Sequence, residues 1–191
     1  MRIIAGEHRG RPLKAPKGMG TRPTTDRVRE SLMSALSSER GGFEDAFVLD
    51  AFAGSGALGL EAMSRGAAFA CLCERDGAAL RVIEDNVRTL RYGRDEVRVQ
   101  KLDVLKNAIP RAKQPYDLVL LDPPYAVSAS EVFALIARLD ESGQLAEEFV
   151  ISYEHGSESN DEVSSLIESA GYCMASHRVY GDTVIDIFVR D

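Results

Sequence analysis

The chain is predicted to fold as an α/β protein on a doubly wound, mostly parallel sheet, and three observations predict it. From Phe43 onward, short apolar runs alternate with amphipathic helical patterns, as βαβ units require. The first of these runs opens onto a glycine-rich turn that starts a helix. The last two β-rich runs, "YCMASHRVYG" and "DTVIDIFVR", follow one another with no helix between them.

The elements follow in order. "RIIA" (2–5) and "RPLK" (11–14) flank Gly6–Gly10 and predict a small hairpin. "PKGMGTRP" reads as loop. "TTDRVRESLMSALSSE" then offers Thr24 or Thr25 as a cap, Asp26 in the first turn, and Val28, Leu32 and Leu36 four apart, a helix that ends near Gly41-Gly42. Strands are expected at 46–50, 69–74, 96–102, 117–122 and 147–154, with helices at 57–65, 76–91, 129–140 and 160–170. Gly181-Asp182 is too tight a link for a crossover, so the final two strands pair antiparallel. No repeat or low-complexity linker divides the chain. The expected organisation is a hairpin-and-helix extension over 1–42 on one α/β domain over 43–191.

The length of 191 residues suffices for one domain with a proper core, and 45% hydrophobic with 28% charged residues is ordinary for a soluble globular protein. No apolar run reaches the roughly 18 residues of a membrane span, and "MRIIAGEHRGRPL" lacks the apolar core of a secretory signal. No membrane partner is therefore expected. Cys71, Cys73 and Cys173 are an odd count without repeated spacing, which argues against a disulfide framework and for a reducing cytosol. No second Cys/His pair follows Cys71 and Cys73 at ligand spacing, so no metal site is expected.

The net charge of −7 is unevenly spread. Residues 1–29 carry eight basic residues (Arg2, Arg9, Arg11, Lys14, Lys17, Arg22, Arg27 and Arg29) against Glu7 and Asp26, a balance of +6 that leaves −13 on the remainder. A basic arm on an acidic body can dock a polyanion locally, with salt-sensitive binding. The bland alternative is a solvated tail.

Ligands of doubly wound sheets sit outside the carboxyl ends of the strands. Strand runs end in the acids Asp50, Glu74 and Asp122, and Asp103 follows the third run. The first βα turn, "VLDAFAGSGALGLEA", places Gly54, Gly56 and Gly59 in the G-x-G-x-x-G spacing of a dinucleotide fingerprint. Glu74, eighteen residues after Gly56, fits a ribose-binding acid for any adenosine ligand. Asp50 decides between ligands. A carboxylate four residues before Gly54 would repel a pyrophosphate on that turn, at a cost of the order of kcal/mol. S-adenosylmethionine has no phosphate and carries two cations, a sulfonium and an ammonium, so Asp50 favours it over a nicotinamide cofactor. Asp103 can accept from the adenine amino group.

"LVLLDPPY" (118–125) ends a buried run in a carboxylate, two prolines and a ring. On its own this reads as a strand stop and a turn. Beside a methyl donor it acquires a chemical task. Exocyclic amines of purines are poor nucleophiles because the lone pair is delocalised into the ring. Acceptors on both N–H bonds, the Asp122 carboxylate and the Pro123 carbonyl, favour a pyramidal nitrogen and stabilise the positive charge that develops there. Pro123 and Pro124 stiffen the loop, and Tyr125 offers a face on which a splayed base stacks.

Together, "DAFAGSGALGLEAMSRGA", "DPPY", "RIIAGEHRGRPLKAP…TRPTTDRVRESL" and the closing "RVYGDTVIDIF" resemble the bacterial 16S ribosomal RNA guanine-N2 methyltransferases of the RsmD type, over nearly the whole chain. The glycine turn and DPPY are shared with many amino-methyltransferases; "RPTTDRVRESL" is the distinctive part. The resemblance implies the class I methyltransferase fold, a Rossmann-like sheet of seven strands with the last antiparallel. It implies S-adenosylmethionine as donor, S-adenosylhomocysteine as product, and as partner the small-subunit rRNA or an assembling 30S particle. A cytoplasmic monomer is expected. Asp50, Phe52, Gly54, Gly56, Glu74 and Asp103 would bind the cofactor. Asp122, Pro123, Pro124 and Tyr125 would hold the target amine. Thr24 and Thr25 join the cofactor set, unless one merely caps the helix. Arg2, Arg9, Arg11, Lys14, Arg22 and Arg27 would contact RNA. One departure is Met33, where Phe is expected; a swap of similar apolar bulk puts little in doubt.

The nearest rival is a DNA adenine-N6 methyltransferase, since DPPY serves either base, but no inserted target-recognition region is present. A glutamine-modifying protein methyltransferase and a catalytically silent rRNA-binding module remain further alternatives. His8 could touch RNA, whereas His155 and His177 read as structural or surface residues. No general base is assigned, so the proton of the methylated amine goes to Asp122 or to water. Removing residues 1–20 is expected to weaken RNA binding far more than cofactor binding.

Overall fold

The computed structural model describes residues 1–16 and 26–190. After the hairpin come α1 (Asp26–Arg40), β1 (Phe47–Asp50), α2 (Ala57–Ser64), β2 (Phe69–Glu74), α3 (Gly77–Leu90), β3 (Val97–Lys101) and β4 (Tyr116–Leu121). α4 (Ala129–Glu141), β5 (Leu145–Gly156), α5 (Asn160–Ser169), β6 (Tyr172–Tyr180) and β7 (Thr183–Arg190) complete the chain. The seven strands form one sheet in the order β3-β2-β1-β4-β5-β7-β6. β1 to β5 are mutually parallel, and β7 runs antiparallel to both β5 and β6. This is the expected seven-stranded, doubly wound arrangement with the last strand reversed.

Alternation along the strands makes two cores. Val48, Leu72, Leu118, Leu120 and Val150 face a cluster that includes Leu32, Met33 and Leu36 of α1 and Leu60 of α2. Leu49, Cys71, Val119 and Ile151 face the other, against Val132 and Ile136 of α4 and Val163 of α5. Met33 is fully buried, which accommodates the departure from Phe as one apolar filler for another. The C-terminal end of α1 is tied to the sheet: Arg40 pairs with Asp117 at 2.7 Å, and Asp117 also accepts from Phe47 N at 3.0 Å.

The N-terminal hairpin has a single bridge, Arg2 to Pro12, rather than a ladder. Its hold on the domain comes from elsewhere. Ile3 and Leu13 are buried in the core shared with α1 and α2. Glu61 of α2, itself fully buried, accepts from Ile4 N at 2.8 Å and Ala5 N at 2.9 Å and pairs with Arg65 at 2.9 Å. Ser64 accepts from His8 N and donates to Ala5 O. Asn86 of α3 accepts from Lys14 N while donating to Lys14 O and to Ser55 O in the glycine turn. Gly6 lies so close that a Cβ there would sit 1.7 Å from the Ser64 carbonyl oxygen. The extension is thus strapped across two helices and the turn after β1. That changes the expectation for its removal: deleting residues 1–20 strips core residues and leaves Glu61 buried without its amides, so stability and cofactor binding suffer along with RNA binding.

Candidate active site

Parallel register carries the strand-end acids to one side of the sheet. Asp50 lies opposite Leu72 on β2 and Leu120 on β4, and Glu74 and Asp122 each lie two residues further along. Leu72 and Leu120 belong to the α1-side core, so Glu74, Asp50 and Asp122 follow them to that face. Leu121 pairs with Tyr153, which sets Glu154 of β5 beside Asp122 and extends the row to four adjacent strands, β2-β1-β4-β5. Glu154 is absent from the sequence-based site. Its signal was present, since the run "EEFVISYE" ends in it.

Asp50 is buried, and its Oδ2 accepts from Gly59 N at 3.1 Å. No ion pair neutralises it among the described residues. Burial foremost, with Asp122 and Glu74 adding repulsion, pushes its pKa up to about 7 against the Gly59 hydrogen bond. Glu74 accepts from Gly54 N at 2.9 Å and Asp76 N at 2.8 Å, which fixes the carboxylate while each oxygen keeps a further lone pair. Leu102 N donates to the Glu74 carbonyl, so Asp103 follows directly beside it, with Oδ1 accepting from Leu105 N at 3.2 Å and Oδ2 3.7 Å from Lys106 Nζ. Gly56 opens α2 in the left-handed region, φ 77°, which favours glycine. Gly54 is half-buried between Asp50 and that helix, and Phe52 packs partly buried against the α4-side core.

The donor set fits S-adenosylmethionine. A buried carboxyl without a cation suits its ammonium, and Glu74 with Asp103 offers acceptors to a ribose and an adenine amine. An ammonium seated beside Asp50 would favour its ionised form, lower its pKa and release a proton. Calorimetry at pH 6.5 in buffers of different ionisation enthalpy should record release of about half a proton or more per cofactor. Asp50→Asn should largely abolish that release, and an unchanged release would remove Asp50 from the role.

Past β4, Asp122 is half-buried, and burial pushes its pKa up to about 6. Val127 N donates to the Pro124 carbonyl at 2.9 Å and closes the turn. Among the described residues no backbone amide donates to the Pro123 carbonyl. Tyr125 stands 65% exposed, its hydroxyl 3.2 Å from Thr183 Oγ1 on β7, which leaves the ring face open for stacking. His155 lines the same pocket as Pro123, Pro124 and Tyr125, yet it is no general base. Its Nε2 is 3.0 Å from buried Asp186 and its Nδ1 2.9 Å from Gly156 O. His177 contacts the other Asp186 oxygen at 2.6 Å. Both histidines are thus tied to Asp186.

The expected RNA-contacting residues divide. Arg9, Arg11 and Arg27 are exposed, and none is in an ion pair among the described residues. Arg2 pairs with Asp26 at 3.1 Å and Lys14 with Asp85 at 2.7 Å, both exposed, so their charge is partly compensated. Arg29, counted in the basic arm, is a correction: it is 2% exposed and donates to Arg2 O and Asp26. Arg22, Thr24 and Thr25 lie outside the described residues. Among the described residues no cluster of three or more His, Cys, Asp or Glu is gathered to hold a metal, and no helix is long and apolar enough to cross a membrane.

The chain matches the family model described as conserved hypothetical protein 95 over residues 1–189. It is 43% identical over 157 residues to the ribosomal RNA small subunit methyltransferase D of Escherichia coli K12, covering 81% of this chain and 74% of that protein. It is 35% identical over 193 residues to YlbH of Bacillus subtilis, named as a candidate rRNA methyltransferase, covering 100% and 99% of the two chains. A solved structure from Escherichia coli, yhhF, described as a candidate methyltransferase, superposes with a TM-score of 0.78 at 36% identity over 100% of this chain and 98% of that one.

Proposed function

The chain belongs to the RsmD family of methyltransferases, and from that premise we propose that it moves a methyl group from S-adenosylmethionine to the exocyclic N2 amine of a guanine in small-subunit ribosomal RNA. The observation that carries this reading is the placement of Asp122, with the stiffened Pro123 carbonyl, beside the buried Asp50 on one face of the sheet. One group is suited to a reacting amine and the other to a cationic donor.

Bound S-adenosylmethionine supplies an electrophilic methyl on its sulfonium. Asp50, Gly54 and Gly56 hold its methionine part, Glu74 its ribose and Asp103 its adenine, with Phe52 beside them. Asp122 and the Pro123 carbonyl each accept one hydrogen of N2, which turns the lone pair toward the methyl and offsets the charge that grows on nitrogen. Pro124 fixes the turn, and Tyr125 stacks on the extruded base. Transfer would leave S-adenosylhomocysteine as product, and the proton lost from the methylated nitrogen would pass to Asp122 or to water. Alignment of donor and acceptor supplies much of the rest of the rate.

Residues 43–191 are the catalytic body, and 1–42 the side that meets RNA, through Arg9, Arg11 and Arg27 foremost. The substrate is free rRNA or an assembling 30S particle, met by a monomer in the cytoplasm. Labelled methyl from S-adenosylmethionine, offered to small-subunit particles, free rRNA and duplex DNA, should appear as N2-methylguanosine from the ribosomal substrates after digestion to nucleosides. N6-methyladenine from DNA would keep the cofactor and overturn the substrate, and no transfer to any of them would overturn the reaction.

A further inference from the structure

Glu154 is the member of the acid row with no part in the mechanism above. Register with β4 sets it beside Asp122, and it shares a pocket with Pro123, Pro124 and Tyr125. Its charged surroundings are acidic on most sides: Asp122 on β4, Asp50 one strand further, and Glu158 in the same pocket. On β7 it faces Ile185, and beyond that Arg178 of β6 donates to the Ser31 carbonyl and hydroxyl of α1. Burial foremost, with the neighbouring Asp122 adding repulsion, raises the Glu154 pKa, which favours a proton on Glu154 beside an ionised Asp122.

A protonated carboxyl presents one acceptor and one donor side by side. Guanine presents the complement next to its N2 amine, the N1–H donor and then the O6 acceptor. Neighbouring strands lie about 4.8 Å apart, close to the reach along a purine's pairing edge, so groups on β4 and β5 can meet its two ends. We propose that Glu154 is the specificity residue of this site: its carboxyl oxygen accepts from guanine N1–H and its O–H donates to O6, while Asp122 and the Pro123 carbonyl take the two hydrogens of N2. This rests on the guanine-N2 reading given above. An adenine held by its N6 amine would put the N1 acceptor beside the amine and a C–H where guanine has O6, so one of the two bonds is lost.

The role separates from that of an ionised base by a single substitution, because glutamine presents the same acceptor and donor as a neutral carboxyl but cannot take a proton. Methyl transfer to unmodified small-subunit particles is measured at saturating cofactor between pH 7 and 9 for the wild type, Glu154→Gln and Glu154→Ala, with cofactor binding by calorimetry as the check on folding. Glu154→Gln should keep kcat/KM within a few-fold of the wild type at pH 7, whereas Glu154→Ala should lose about 10²-fold. The wild type should decline as pH rises through Glu154 ionisation, and Glu154→Gln should not. Loss in Glu154→Gln at pH 7 with cofactor still bound overturns the proposal, as does a wild-type rate in Glu154→Ala or the same alkaline decline in both wild type and Glu154→Gln. A wild type that forms no N2-methylguanosine overturns the underlying reading instead, and this proposal with it.

Discussion

Asp122→Ala should lower methyl transfer by about 10³-fold or more while leaving cofactor affinity within a few-fold of the wild type. In the proposed reaction the carboxylate accepts from the reacting amine, and its contribution would grow as positive charge develops on nitrogen. Removing one preorganised group of this kind costs roughly 10²–10³ in rate, and here the group also orients the lone pair. Asp122→Asn keeps one acceptor but turns an NH2 toward the substrate, so an intermediate loss is expected. Cofactor affinity should be spared because the acids proposed to hold the cofactor, Asp50 on β1, Glu74 on β2 and Asp103 past β3, lie elsewhere in the sheet. Label transfer and calorimetry on the same preparation measure both quantities. Equal loss of transfer and of cofactor binding would move Asp122 from the amine to the cofactor.

Glu61→Ala should destabilise the protein by about 3 kcal/mol, a fall of roughly 6–12 °C in melting temperature for a chain of this size. Glu61 is fully buried and answers three donors, Ile4 N, Ala5 N and Arg65 Nε. Truncation leaves all three without it and opens a gap under the hairpin. Gly6→Ala should cost at least as much, since the added carbon meets the Ser64 carbonyl and the residue sits at φ +80°. Arg9→Ala with Arg11→Ala is the contrast: both side chains are exposed, so stability should shift by less than about 0.5 kcal/mol while RNA binding weakens and its salt slope falls. Thermal melts and binding titrations at two salt concentrations separate the two effects. A melt of Glu61→Ala that matches the wild type would mean that the hairpin does not hold the domain together.

The elements were legible because alternating apolar runs and helical stripes carry strong periodicity. β2, the end of β1 and the starts of α2, α4 and α5 fall where the letters put them, and other boundaries move by a residue or two. The acids at strand ends were legible for a related reason, since the fold puts ligands there. Glu154 also ends its run in the letters, but what it stands beside depends on the β4–β5 register. Pairing partners on neighbouring strands are not written in either strand alone. Arg29 was open to a closer reading: it lies four and seven residues before Met33 and Leu36, on the buried stripe of α1. The clamp on the hairpin was beyond reach. Glu61, Ser64 and Asn86 look like ordinary polar residues of helices, and their partners lie 56 to 72 residues away.

The position of β7 in the sheet bears on how the chain comes into being. It lies between β5 and β6, yet it is synthesised after the other six strands. A chain that stops short of Thr183 already contains Asp50, Glu74, Asp122 and Glu154, but its β5 has an open edge and its β6 has no neighbour to pair with. Tyr125 has no Thr183 hydroxyl to meet. Such an incomplete product offers two bare strand edges, the feature by which unfinished β-proteins aggregate and are sought by chaperones and proteases. Insertion of the final strand closes the edge of β5 beside Glu154, so the step that completes the site also removes the bare edge that distinguishes an unfinished chain.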